Sequence, residues 1–129
     1  MILLDTHVLI WMSADSKKLS TKARRAIRDA RQSSGIAVAT ITLWELALLA
    51  ERRRIYVAGS VESFIRETIS KVMLRPMTPE IAAVAVRLPE NYPKDPADRL
   101  IAATAIVEGL PLVTADGGIR DANVVNTIW

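Results

Sequence analysis

The sequence predicts an α/β domain built on a mostly parallel sheet. Three features carry that expectation. Short, wholly apolar runs alternate with longer amphipathic or apolar stretches along the chain. The longer stretches open on capping residues, and some are followed by a glycine stop. The 129 residues suit one domain, long enough to bury roughly two-thirds of the unfolded chain's surface.

Ile2-Leu3-Leu4 is a continuous apolar run of the kind a buried strand needs. Asp5-Thr6 follows it, and Val8 to Met12 reads as a short helical turn. Ser20 is an N-cap for a helix to about Ser33. Leu19, Ala23, Ala26, Ile27 and Ala30 share one face of it, with Arg24, Arg25, Arg28 and Arg31 opposite. Gly35 ends it, and Ile36-Ala37-Val38-Ala39 is a second strand. Thr42-Leu43-Trp44-Glu45 has the spacing of a capping box, opening a helix to about Arg54 that is apolar nearly all round. Its basic end, Arg52-Arg53-Arg54, suits the negative pole of the helix dipole. Ser60 caps a fourth helix to about Lys71, and Val72-Met73-Leu74 is a third strand. Thr78-Pro79 is a cap followed by proline at the first helical position, opening a helix to Leu88. Pro89 to Pro96 is a loop. Asp95-Pro96 repeats the cap-then-proline device for a helix to about Glu108, which Gly109 stops. Leu112-Val113-Thr114 is a fourth strand, Gly117-Gly118 a turn, and Val124-Val125 a last short strand.

Half the residues are hydrophobic (50%) and mean hydropathy is +0.21, so the chain has ample apolar surface to offset its conformational entropy. That content is high for so small a domain and points to surfaces that meet a partner. A net charge of +3 permits a polyanionic partner. The cysteine count of 0 excludes disulfide scaffolds, thiolate zinc sites and cysteine nucleophiles. With 1 histidine, a His-rich metal site is excluded too, and any metal must be held by carboxylates. With 3 Trp, 2 Tyr and 1 Phe, an extended base-stacking platform is not expected. The N-terminus lacks the basic region of a signal peptide, and no stretch reaches the roughly 18 apolar residues of a membrane span. A cytoplasmic location follows as the expectation.

Open α/β sheets bind ligands beyond the carboxyl ends of their strands. Four acids fall in such places. Asp5 follows the first strand, Glu45 lies in the first turn of the helix after the second, Asp98 in the first turn of the sixth helix, and Asp116 follows Leu112–Thr114. Each alone is explained by helix capping. Four together are not, because crowded carboxylates repel one another unless a cation sits among them. Oxygen-only ligands fit Mg²⁺ or Mn²⁺, and the chemistry suited to such a site is metal-assisted phosphoryl hydrolysis.

The pattern Leu3-Leu4-Asp5-Thr6-His7, Leu43-Trp44-Glu45, Asp95-Pro96-Ala97-Asp98-Arg99-Leu100-Ile101-Ala102 and Leu112-Val113-Thr114-Ala115-Asp116 resembles the PIN-domain ribonucleases. It is most similar to the VapC toxins of toxin–antitoxin pairs, over essentially the whole chain. The resemblance implies a three-layer α/β/α fold with a central sheet of four or five strands. It implies that Asp5, Glu45, Asp98 and Asp116 form an acidic pocket for Mg²⁺ or Mn²⁺, supported by Thr114 and Thr6. It further implies an RNA substrate (tRNA, rRNA or mRNA) whose cleavage stops translation, a cognate antitoxin that blocks the pocket, and a homodimeric toxin.

Other residues keep two readings. Arg99 either touches the RNA backbone or braces the acids. His7 is a packing or capping residue first and a phosphate contact second. Asp95 is an N-cap with an outer contact to the site as its second reading, and Asp121 is solvated or an outer contact. The arginines at 24, 25, 28, 31, 52, 53 and 54 are candidates for phosphate contacts, although a charged helix face is usually only a solvated one. Trp11, Trp44 and the apolar surround of the Glu45 helix read as core or as the antitoxin's groove, and Trp129 as a dock for the final strand. Two other functions compete with the toxin reading. A haloacid-dehalogenase-type phosphatase needs an acid where His7 stands and a lysine near the later acids. A non-catalytic PIN-fold RNA- or protein-binding module would be marked by a degenerate pocket, and all four acids are present.

Overall fold

The computed structural model describes residues 1–129. Five short strands, β1 (Ile2–Leu4), β2 (Ile36–Ala39), β3 (Met73–Arg75), β4 (Leu112–Val113) and β5 (Thr127–Ile128), form one sheet in the order β3-β2-β1-β4-β5. Every pairing is parallel. Seven helices connect and cover it: α1 (Thr6–Ala14), α2 (Thr21–Arg31), α3 (Ile41–Glu51), α4 (Val61–Ile69), α5 (Pro79–Arg87), α6 (Pro96–Glu108) and α7 (Gly117–Ala122). No helix is long and apolar enough to cross a membrane.

β1, β2 and β4 are apolar throughout because both of their faces are covered, whereas the edge strands β3 and β5 are partly exposed and carry Arg75 and Thr127. Side chains alternate between the two faces at the strand period of two. Ile2, Leu4, Ile36, Val38 and Val113 join one core with Val8 and Leu9 of α1 and Ala23, Ile27 and Ala30 of α2. Leu3, Ala37, Ala39 and Leu112 join a second core with Ile101, Ala102 and Ala105 of α6 and Ile119 of α7. Two cores on opposite sides of one sheet make the three-layer arrangement.

The chain steps from β1 outward to β2 and β3, then returns to place β4 on the other side of β1. The carboxyl ends of β1 and β4 therefore flank the point where strand order reverses, the usual ligand crevice of such sheets.

Four expected N-caps act as caps, each side chain accepting from the backbone N–H three residues on: Ser20, Ser60, Thr78 and Asp95. Gly109 ends α6 in the left-handed conformation, with φ 67°. Five local expectations are corrected. α1 begins at Thr6, because the Asp5 side chain accepts from the Thr6 N–H and caps it. α3 begins at Ile41 with Thr40 as N-cap, so Thr42 and Glu45 form no capping box and Glu45 lies past the first turn. The same helix stops at Glu51, since Arg53 turns left-handed (φ 54°), so the arginine cluster lies beyond the helix. Gly117-Gly118 opens α7 instead of making a simple turn, because Asp116 caps it. The last strand is Thr127–Ile128; Val125 is instead a buried core residue.

Candidate metal centre

Asp5 leaves the central strand at the crevice, and its backbone N–H donates to Val113 O at 3.0 Å, which ties the ends of β1 and β4 together. Its carboxylate is buried and held from two sides: Thr6 N–H donates to Oδ1 at 2.8 Å and the Thr114 hydroxyl donates to Oδ2 at 2.7 Å. Thr114 also accepts from Asp116 N–H at 3.1 Å, so one hydroxyl organises two acids. Asp116 caps α7 by accepting from Ile119 N–H at 3.0 Å. A Cβ on Gly118 would lie 3.2 Å from Asp116 Oδ1, so glycine leaves that carboxylate room.

Glu45 reaches the site from α3. Its Oε1 accepts from the Thr6 hydroxyl at 2.5 Å, and that hydroxyl lies 3.0 Å from the hydroxyl of fully buried Thr42. The Thr42–Thr6–Glu45 chain thus fixes Glu45 against the start of α1. From α6, Asp98 enters in the first turn, and its N–H donates to Asp95 Oδ1 at 3.1 Å. Tyr92, buried in the core, donates its hydroxyl to Asp98 O at 3.2 Å.

These side chains converge. Asp5, Glu45, Asp95, Asp98 and Asp116 line one cleft of about 480 Å³ with His7, Trp11 and Ala115. Glu45, Asp95 and Asp98 each bring a carboxylate oxygen within 4.8 Å of the others. Asp95 therefore stands inside the acid group as well as capping α6. The cap-then-proline spacing made the capping role legible, but its distance to Glu45 depends on how α3 and α6 meet. Thr42 gave no sequence signal beyond the capping box it does not form.

The acids are under strain from burial and from each other. Asp98 is pushed from 3.8 up to about 7, first by desolvation and then by the charges of Asp5, Asp95, Glu45 and Asp116. Burial raises Asp5, although Thr114 and Thr6 pull it back, and burial raises Glu45 against the Thr6 hydrogen bond. His7 offsets Asp5 and Glu45 only as a minor contribution, and none of the cleft acids is ion-paired: the ion pairs join Lys18–Asp15, Arg28–Asp29 and Arg75–Glu108. Arg99, expected to brace the acids or meet RNA, donates instead to the carbonyls of Ala85 and Leu88 at the end of α5. A crowded set of carboxylate oxygens with no ion pair among them fits a divalent metal ion.

A family model of the PIN domain matches residues 2–125. The chain belongs to the PIN domain family. Among PIN domain relatives, it is 47% identical over 119 residues to "Ribonuclease VapC22" of Mycobacterium tuberculosis, spanning 92% of this chain and 89% of the relative. The fold resembles the crystal structure of VapBC2 from Rickettsia felis bound to a promoter DNA fragment (TM-score 0.74, 17% identity, 98% of this chain and 97% of that one). It also resembles a toxin–antitoxin complex from Klebsiella pneumoniae (TM-score 0.69, 22% identity, 100% and 97%). The PIN fold expected from the motifs is thus the fold observed, with all five strands parallel.

The remaining candidates fall outside the acid group. His7 is exposed on the cleft rim, its ring 6.0 Å from Trp11, which packs in turn 5.9 Å from Trp129. Trp129 therefore docks the chain end onto α1, as expected. Trp44 is 56% exposed and is not core. Asp121 is exposed on α7, as are Arg24, Arg25, Arg28 and Arg31 on α2.

Proposed function

We propose that this protein is a single-domain, metal-dependent endoribonuclease, the toxin of a toxin–antitoxin pair. The observation that carries the reading is the convergence of five acids, none of them ion-paired, at the carboxyl ends of β1 and β4. The 47% identity to a named ribonuclease supports RNA as substrate. Asp5, Glu45, Asp98 and Asp116 would hold Mg²⁺ or Mn²⁺, with Asp95 beside them. When bound, the ion supplies an activated water and neutralises charge growing on the phosphate oxygens. Thr114 and Thr6 orient the two carboxylates they touch, and Asp98, raised to about 7, would have to give up its proton to serve as a ligand.

The likeness to toxin–antitoxin complexes supports a cognate antitoxin as partner. We read the free toxin as a homodimer acting in the cytoplasm on tRNA, rRNA or mRNA. The test is cleavage of total RNA by purified, partner-free protein. Cutting is expected with Mg²⁺ or Mn²⁺, not in chelator, and not with folded Asp5→Asn or Asp98→Asn protein. Equal cutting by those variants sinks the assignment, and binding without cutting under either metal favours a non-catalytic module.

A further inference from the structure

A second groove, of about 570 Å³, opens beside the acid cleft and shares Glu45 and Asp95 with it. That volume lies within the roughly 300–1,000 Å³ typical of ligand pockets. Trp44 and Leu48, one turn apart on α3, line it together with Arg52 and Arg54. Trp44 is 56% exposed, an unusual state for the largest apolar side chain beside two further apolar residues. Neither arginine pairs with an acid. The groove therefore brings together carboxylates shared with the cleft, an open indole, and two unpaired arginines: Arg52 at the C-cap of α3, eight residues and so about 12 Å along the axis from Trp44, and Arg54 just past the helix end.

We propose that this groove is a nucleotide subsite for the RNA strand, with Trp44 stacking on a base next to the scissile phosphate and Arg52 and Arg54 holding the backbone beyond it. The proposal rests on the nuclease reading and extends it from the reacting phosphate to its neighbour. A strand of alternating bases and phosphates offers a partner to each of the three kinds of group. Stacking suits every base because each has a π-face, and guanidinium groups meet phosphate in a fork geometry. The subsite thus favours an unpaired strand over a duplex, whose bases are already stacked.

The experiment uses the full chain and a short single-stranded RNA oligonucleotide of mixed sequence, in chelator so that nothing is cut. The oligonucleotide should quench indole fluorescence, and Trp44→Phe should lose most of that quench while keeping most of the affinity. Trp44→Ala should weaken binding ~5- to 100-fold, the alanine cost of one stacked base. Arg52→Gln and Arg54→Gln should each flatten the salt dependence by about 0.7 in log–log slope. Circular dichroism keeps folding in view. RNA cleavage by the parent with Mg²⁺ runs alongside: its absence sinks the nuclease reading, and the binding arm still decides the groove. If Trp44→Ala binds the oligonucleotide as tightly as the parent and cuts the same sites at the same rate, the proposal is overturned. The groove would then be left to a protein segment.

Discussion

Asp98 occupies the least comfortable position in the cleft. Its carboxyl is raised to about 7 by desolvation first and by four neighbouring acids after that. Asp98→Asn removes the charge but keeps the N–H that Asp95 accepts. Metal-free protein should therefore melt at a higher temperature in the variant, while RNA cleavage falls by at least about 100-fold, beyond the usual cost of an outer-shell change. A lower melting temperature would mean that the acid stabilises the fold. Thr114→Val removes the hydroxyl that donates to Asp5 Oδ2 and lowers its pKa. Burial then acts on Asp5 with less opposition, and affinity for Mg²⁺ should drop about 10- to 100-fold by calorimetric titration. Affinity within a factor of two of the parent's would count against Thr114 as the residue that orients Asp5.

Helix α6 carries Asp98 and also fills the second core, so site and stability meet in one element. Ile101 is fully buried there, among Leu3, Leu112 and Ile119. Ile101→Ala should cost about 2–5 kcal/mol in denaturant unfolding, the range for large-to-small changes in a packed core. It should also weaken metal binding, because Asp98 lies one turn away on the same rigid segment. At the far end, Gly109 has φ 67° with nothing within 4 Å of a built Cβ. The cost of Gly109→Ala is therefore conformational only, about 1–2 kcal/mol, with metal affinity unchanged. An effect on the metal site would reveal a coupling through α6 that the packing does not suggest.

For the whole molecule, the raised acids set how stability depends on pH. Asp98 in the folded chain still holds its proton between 3.8 and about 7, where the unfolded chain has released it. Stability of metal-free protein therefore falls as pH rises through that window, and the penalty is complete above about 7. Asp5 and Glu45 are raised as well and push in the same direction. Melting in chelator should show a lower midpoint at pH 8 than at pH 5. Mg²⁺ should recover more at pH 8, because binding requires the ionised carboxylates. A midpoint that rises with pH in chelator would contradict this picture of the cleft.

The sequence by itself determined the alternation of strands and helices, the four N-caps, the glycine stop at 109, and that any metal would have to be held by carboxylate oxygens. These depend on local periodicity, on a side chain reaching a backbone N–H three residues away, and on the absence of cysteine and of a second histidine. Its order of motifs also indicated the PIN family that the comparison shows. Local rules failed where long-range contacts compete with them. Thr42 looks like a cap in sequence but spends its hydroxyl near Thr6, 36 positions away. The tertiary structure alone decided that Asp95 sits among the acids, that Arg99 faces the end of α5, and that Trp44 lies open beside the cleft. Each of these depends on how α3, α5 and α6 pack across the sheet, a distance in space that spacing along the chain does not encode.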